Sequence, residues 1–92
     1  MTAAKDNSVI AKRLVQTRLA LGYKTQSAFA EQLGTHSAQY SVFESGRRRI
    51  SLGVALLISE KFGISLDWIY CGDAVGLPAS VYKKLRRRRS PD

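Results

Sequence analysis

The sequence predicts an all-α domain of five helices with a basic C-terminal tail. Apolar residues recur at helical spacing, and Ser or Thr precedes and Gly follows several of these segments. No strand-period alternation is long enough to build a sheet. The 92 residues allow one domain, and 45% apolar composition suffices for one small core. Charged residues make up 24%, an ordinary globular share, so charge has not replaced that core.

A leader over residues 1–8 precedes the domain, which spans 9–80. Helix one begins near Asn7 or Ser8 as cap, carries Ile10, Leu14 and Leu21 on its inner stripe, and ends at Gly22. Thr25 caps helix two, Gln26 to Leu33, with Phe29, Ala30 and Leu33 inward, and Gly34 stops it. Helix three runs from Ser37 to Glu44 or Ser45, buries Tyr40 and Phe43, and is closed by Gly46. Ser51 caps helix four, Leu52 to Phe62, closed by Gly63. Its apolar run Val54–Ile58 also fits a buried strand, but the length and the flanking cap and glycine favour helix. Ser65 caps helix five, Leu66 to Tyr70, ended by Gly72, and Gly76-Leu77-Pro78 marks a break. The tail, 81–92, extends as helix at most as far as Ser90-Pro91, against the mutual repulsion of Arg86–Arg89.

The formal charge of +8 is unevenly placed: +2 over 1–46, +3 in Arg47–Arg49, −2 over 50–80 and +5 over 81–92. Such clustering implies an anionic partner, nucleic acid first and acidic membrane second. No apolar run is long enough to span a bilayer, and the N-terminus has no segment of signal-peptide type. One cysteine forms no internal disulfide, which points to a reducing cytoplasm. One His, one Cys and seven acids are few parts for catalysis, so an enzyme is not expected.

The informative segment is the helix-turn-helix over 25–45. The short link Gly34-Thr35-His36 forces its two helices to cross steeply. Helix three turns Ser37, Ala38, Gln39, Ser41, Val42 and Ser45 outward, a small, uncharged face rich in hydrogen-bonding groups. Small side chains let a helix enter the major groove closely. Gln39 suits adenine, the serines suit several base edges, and Ala38 or Val42 suits a thymine methyl. Periodicity alone leaves an ordinary exposed bundle helix equally open.

The stretch TQSAFAEQLGTHSAQYSVFESGRRRIS, followed by LLISEKFGISLDWIYCGD, resembles the lambda-repressor-like helix-turn-helix family of XRE and Cro-type regulators. The matches are Thr25, Gln26, Ala30, Leu33, Gly34, Ser41, Glu44 and Gly46, then Gly63, Ser65, Leu66, Asp67, Trp68 and Gly72. The resemblance covers about residues 9–72 and implies a DNA-binding transcriptional repressor of phage or bacterial type, located in the cytoplasm at the nucleoid. It implies base reading by Ser37, Ala38, Gln39, Ser41 and Val42. Lys24, Thr25, Gln26, Ser45, Arg47, Arg48 and Arg49 would contact phosphates, and Arg18 and Glu44 would form an internal ion pair. It further implies a homodimer on a near-palindromic DNA operator, with no cofactor, metal, membrane or small-molecule substrate.

Departures from the family pattern are Phe29 and Phe43 for aliphatic residues, an extra Lys24, His36 for a capping Ser or Thr, and Ile50 for the usual proline. His36 is expected as a solvated turn residue, Cys71 as a half-buried structural thiol and Trp68 as a core plug. The competing class is a protein-interaction module such as an antitoxin or anti-repressor. A DNA footprint persisting in the free protein at moderate salt separates the two.

Overall fold

Capping chemistry sets the helix boundaries in the computed structural model, which describes residues 7–88, with side chains through Arg86. Thr25 Oγ1, Ser51 Oγ and Ser65 Oγ accept from the amides of Ala28, Val54 and Trp68 at 3.1, 3.2 and 3.0 Å. Each satisfies a first-turn N–H that has no partner within its own helix. The elements are α1 (Asn7–Ala20), α2 (Gln26–Leu33), α3 (Ser37–Glu44), α4 (Leu52–Phe62), α5 (Leu66–Cys71) and α6 (Ala79–Arg88). Among the described residues there is no strand, and Val54–Ile58 lies within α4.

The class is all-helical, with six helices where the sequence suggests five and a tail. The added helix is α6. Val81 and Leu85, one turn apart, are 5% and 3% exposed and join the main core, and α6 packs against α1. The Pro78 carbonyl accepts the first helical bond, from Tyr82 N at 3.0 Å. Basic residues near the helix C-terminus also complement its dipole, offsetting part of their repulsion. Of the expected tail, residues 89–92 lie outside the described residues, as do residues 1–6 of the expected leader. Asn7 and Ser8, assigned to that leader, form the first turn of α1.

Every helix contributes to one core. Ile10 and Leu14 of α1, Phe29 of α2, Tyr40 of α3, Ile58 of α4, and Trp68 and Ile69 of α5 are all buried. The Phe29 ring lies 5.4 to 5.6 Å from those of Tyr23, Tyr40 and Phe62, so this aromatic fills its place by tilted, edge-on and stacked packing. Ile50, where the family usually has proline, is buried before α4. Trp68 is also buried, and its indole donates to Thr17 Oγ1 at 2.9 Å, which joins α5 to α1. Cys71 is exposed rather than half-buried, because it ends a one-and-a-half-turn helix on the solvent side.

Candidate nucleic-acid interface

Backbone bonds close the end of α2 at the turn into α3. Gly34 adopts φ 77°, a left-handed conformation that glycine reaches without a Cβ clash. Its amide donates to Glu31 O at 3.1 Å and the Thr35 amide to Ala30 O at 3.0 Å, closing the end of α2. His36 then starts α3 in extended conformation and makes no side-chain cap bond.

Glu44, the last residue of α3, collects four hydrogen bonds from three side chains. Arg18 Nε from α1 donates to its Oε2 at 2.9 Å and Arg18 Nη2 to its Oε1 at 3.2 Å. Tyr40 Oη donates to Oε2 at 2.7 Å, and Gln26 Nε2, from the start of α2, to Oε1 at 3.0 Å. Arg18 also bonds the Tyr23 carbonyl at 2.9 Å. The charges are buried yet satisfied, which burial demands. Burial first, then the bond to Glu44 and its charge, push the Tyr40 phenol far above the usual tyrosine range, with Arg18 opposing. This cluster locks α1, α2 and α3 together behind the outward face.

On that face Ser37, Ala38 and Gln39 are exposed, while Ser41 and Val42 are half-buried. Val42 packs partly against the core, so only part of its side chain is offered outward. Ser41 Oγ donates to Ala38 O at 3.0 Å, which leaves its lone pairs to accept. Gln39 Oε1 accepts a long bond from Thr35 Oγ1 at 3.4 Å, leaving its amide N–H groups to donate.

The flanks differ in freedom. Lys24, Arg47 and Arg48 are exposed. Arg49 is exposed but ties Nε to Asn7 Oδ1 at 3.2 Å, and so links the loop to the start of α1. Ser45 Oγ donates to Val42 O at 2.9 Å and accepts from Arg47 N at 3.3 Å, so this hydroxyl shapes the loop. Thr25 is occupied as a cap acceptor, and Gln26 retains one of its two amide N–H groups beyond the bond to Glu44. The first amides of α2 stand beside these two side chains, outside the helical ladder.

A helix-turn-helix family model matches residues 15–69, more than half of the chain, and takes in both short helices and the α3–α4 loop. The chain belongs to the XRE/lambda-repressor-like helix-turn-helix family. It is therefore a DNA-binding helix-turn-helix regulator. No curated protein and no solved structure matches it at significant similarity. The first two turns of α1 and all of α6 fall outside the matched span of this helix-turn-helix regulator.

Three contacts escape sequence reasoning. Tyr40 reaches Glu44 at a spacing of four, a pattern visible in the sequence but masked by the role of Tyr40 as a core residue. Gln26–Glu44 and Arg49–Asn7 join positions far apart in the chain, and no local signal marks them. Among the described residues no three His, Cys, Asp or Glu side chains gather to hold a metal ion. No described helix is long and apolar enough to cross a membrane.

Proposed function

We propose that this protein is a sequence-specific transcriptional repressor of phage or bacterial type that places α3 in the major groove of duplex DNA. The observation that carries the reading is the contrast on one surface: a neutral, hydrogen-bonding helix face beside exposed Lys24, Arg47 and Arg48. Ser37, Ala38, Gln39, Ser41 and Val42 meet base edges, which carry sequence information in the major groove. Lys24, Thr25, Gln26 and Arg47–Arg49 meet phosphates, which position the protein and supply salt-dependent affinity, while Ser45, whose hydroxyl proton goes to Val42 O, shapes the loop that carries the arginines.

One short helix reads few base pairs, so the protein acts as a homodimer on a near-palindrome with half-sites about 34 Å apart. The exposed Leu52, Leu56 and Leu57 of α4 support this, because they offer apolar surface that a second copy would cover. The test is selection of binding sites from random DNA by the full chain. A palindromic motif is the expected result. Equal binding to every duplex would overturn base reading by α3.

A further inference from the structure

The basic C-terminal segment is built into the fold, and its direction is set by its anchors. Pro78 Cγ lies 3.6 Å from the position of a Cβ on Gly63, so α6 starts beside the C-terminal end of α4. The Tyr23 and Phe62 rings, 5.8 Å apart, bring the chain just after α1 to that same end. Packed on α1 through Val81 and Leu85, α6 therefore runs back toward the N-terminal end of α1. At that end Asn7 holds Arg49, and the Ser8 Cα lies 3.6 Å from the Cβ position of Gly46. The basic half of α6 and the Arg47–Arg49 loop are thus directed to one end of α1.

The composition of α6 is equally one-sided. Lys83, Lys84 and Arg86 are exposed, and Arg87–Arg89 follow in the sequence. No Asp or Glu occurs between Asp73 and Asp92, so no acid within α6 balances these charges at helical spacing. The Arg86 guanidinium lies 5.8 Å from the Tyr82 ring centroid, where the ring braces it and its N–H groups remain able to donate. Lys83 and Arg86, three residues apart, share one exposed side of α6, with Lys84 about 100° round the helix, and this cluster of cations with no acid in the same helix fits a polyanion.

We propose that α6 is a second phosphate-binding element, in which Lys83, Lys84 and Arg86 grip the DNA backbone beyond the stretch held by the Arg47–Arg49 loop. This rests on the reading of α3 as the major-groove helix. The docked helix fixes where the added contacts fall, which an unanchored basic tail would not do.

The test compares the full chain with K83Q/K84Q/R86Q, with K83Q alone and with R47Q/R48Q. The probes are a mixed-sequence DNA duplex and a polyuridine strand, titrated over a range of salt. The α6 side chains are exposed, so the triple variant is expected to melt as the parent does. Its slope of log Kd against log salt should fall by about 2 to 3 per protomer, and that of K83Q by about 1. Motif selection should return the parent's preferred bases, because phosphate contacts carry no sequence information.

An unchanged slope for the triple variant beside a reduced one for R47Q/R48Q overturns the role of α6 and leaves DNA binding standing. Loss of polyuridine binding with the duplex slope intact assigns the surface to single strands and also overturns it. A parent chain that binds no duplex removes the major-groove reading and this proposal with it.

Discussion

Gln26 Nε2 donates to Glu44 Oε1 at 3.0 Å, joining the first residue of α2 to the last residue of α3 across the helix-turn-helix. The same carboxylate holds Arg18 of α1, so one acid fixes the relative placement of three helices. On the proposed reading, their crossing angle decides whether α3 and the start of α2 reach groove and phosphate together. A pair of desolvated charges adds little net stability but strongly penalises the loss of either partner.

Glu44→Ala should therefore be among the most destabilising single changes, costing about 3–5 kcal/mol by leaving Arg18 buried without its counter-charge. Urea unfolding of the variant checks this. Replacing both partners, Arg18→Met with Glu44→Leu, should cost much less than the sum of the single changes. Additivity of the two would mean that Arg18 and Glu44 are not coupled.

Much of this arrangement was legible in the sequence because local chemistry dictated it. Thr25, Ser51 and Ser65 each stand one residue before an apolar periodic run, and each accepts a first-turn amide. The neutral face of α3 followed from the inward spacing of Tyr40 and Phe43. The docking of α6 on the core is not legible, because Val81 and Leu85 are only two apolar residues in a strongly basic segment. Their burial depends on a partner surface on α1 that no local pattern reveals. The side-chain ties of Gln26 and Arg49 were illegible for a similar reason. A polar group at a helix start reads as a free phosphate ligand until tertiary structure brings it an acceptor.

Tyr40 makes stability depend on pH in the alkaline range. Its folded phenol titrates far above the usual tyrosine value of 10.0, so its contribution is fully present below pH 10. Above that pH the unfolded phenol ionises while the folded one keeps its proton, and stability falls by up to about 1.4 kcal/mol per pH unit. Denaturation midpoints measured across pH 9–11 should show this loss. Tyr40→Phe should flatten it, while lowering stability at neutral pH by about 1–2 kcal/mol for the lost bond to Glu44. Equal slopes in parent and variant would exclude Tyr40 as the source.

Leu85 distinguishes an integral α6 from a solvated tail. It is 3% exposed within the main core, so Leu85→Ala should destabilise the whole domain by about 2–5 kcal/mol. Thermal unfolding is the measurement, and a single cooperative transition shifted downward is the expected form. An unshifted transition would show that α6 adds nothing to the core. Arg86→Gln, on the exposed side of the same helix, should leave the transition within about 0.5 kcal/mol of the parent.

Gln39 and Arg48 should separate base reading from phosphate grip. Both are exposed, so substitution leaves the fold in place. The amide N–H groups of Gln39 remain able to donate beyond its long bond to Thr35, as pairing with a base acceptor requires. Gln39→Ala should relax preference at one position of each half-site, with about 1–3 kcal/mol of discrimination lost there. Arg48→Gln should weaken selected and unrelated duplexes alike and lower the salt slope by about 1. Binding measured on the selected site, on its single-base variants and on unrelated DNA gives both quantities in one series. A uniform loss from Gln39→Ala would move that residue to the phosphate side, and a base-dependent loss from Arg48→Gln would move the α3–α4 loop into the groove.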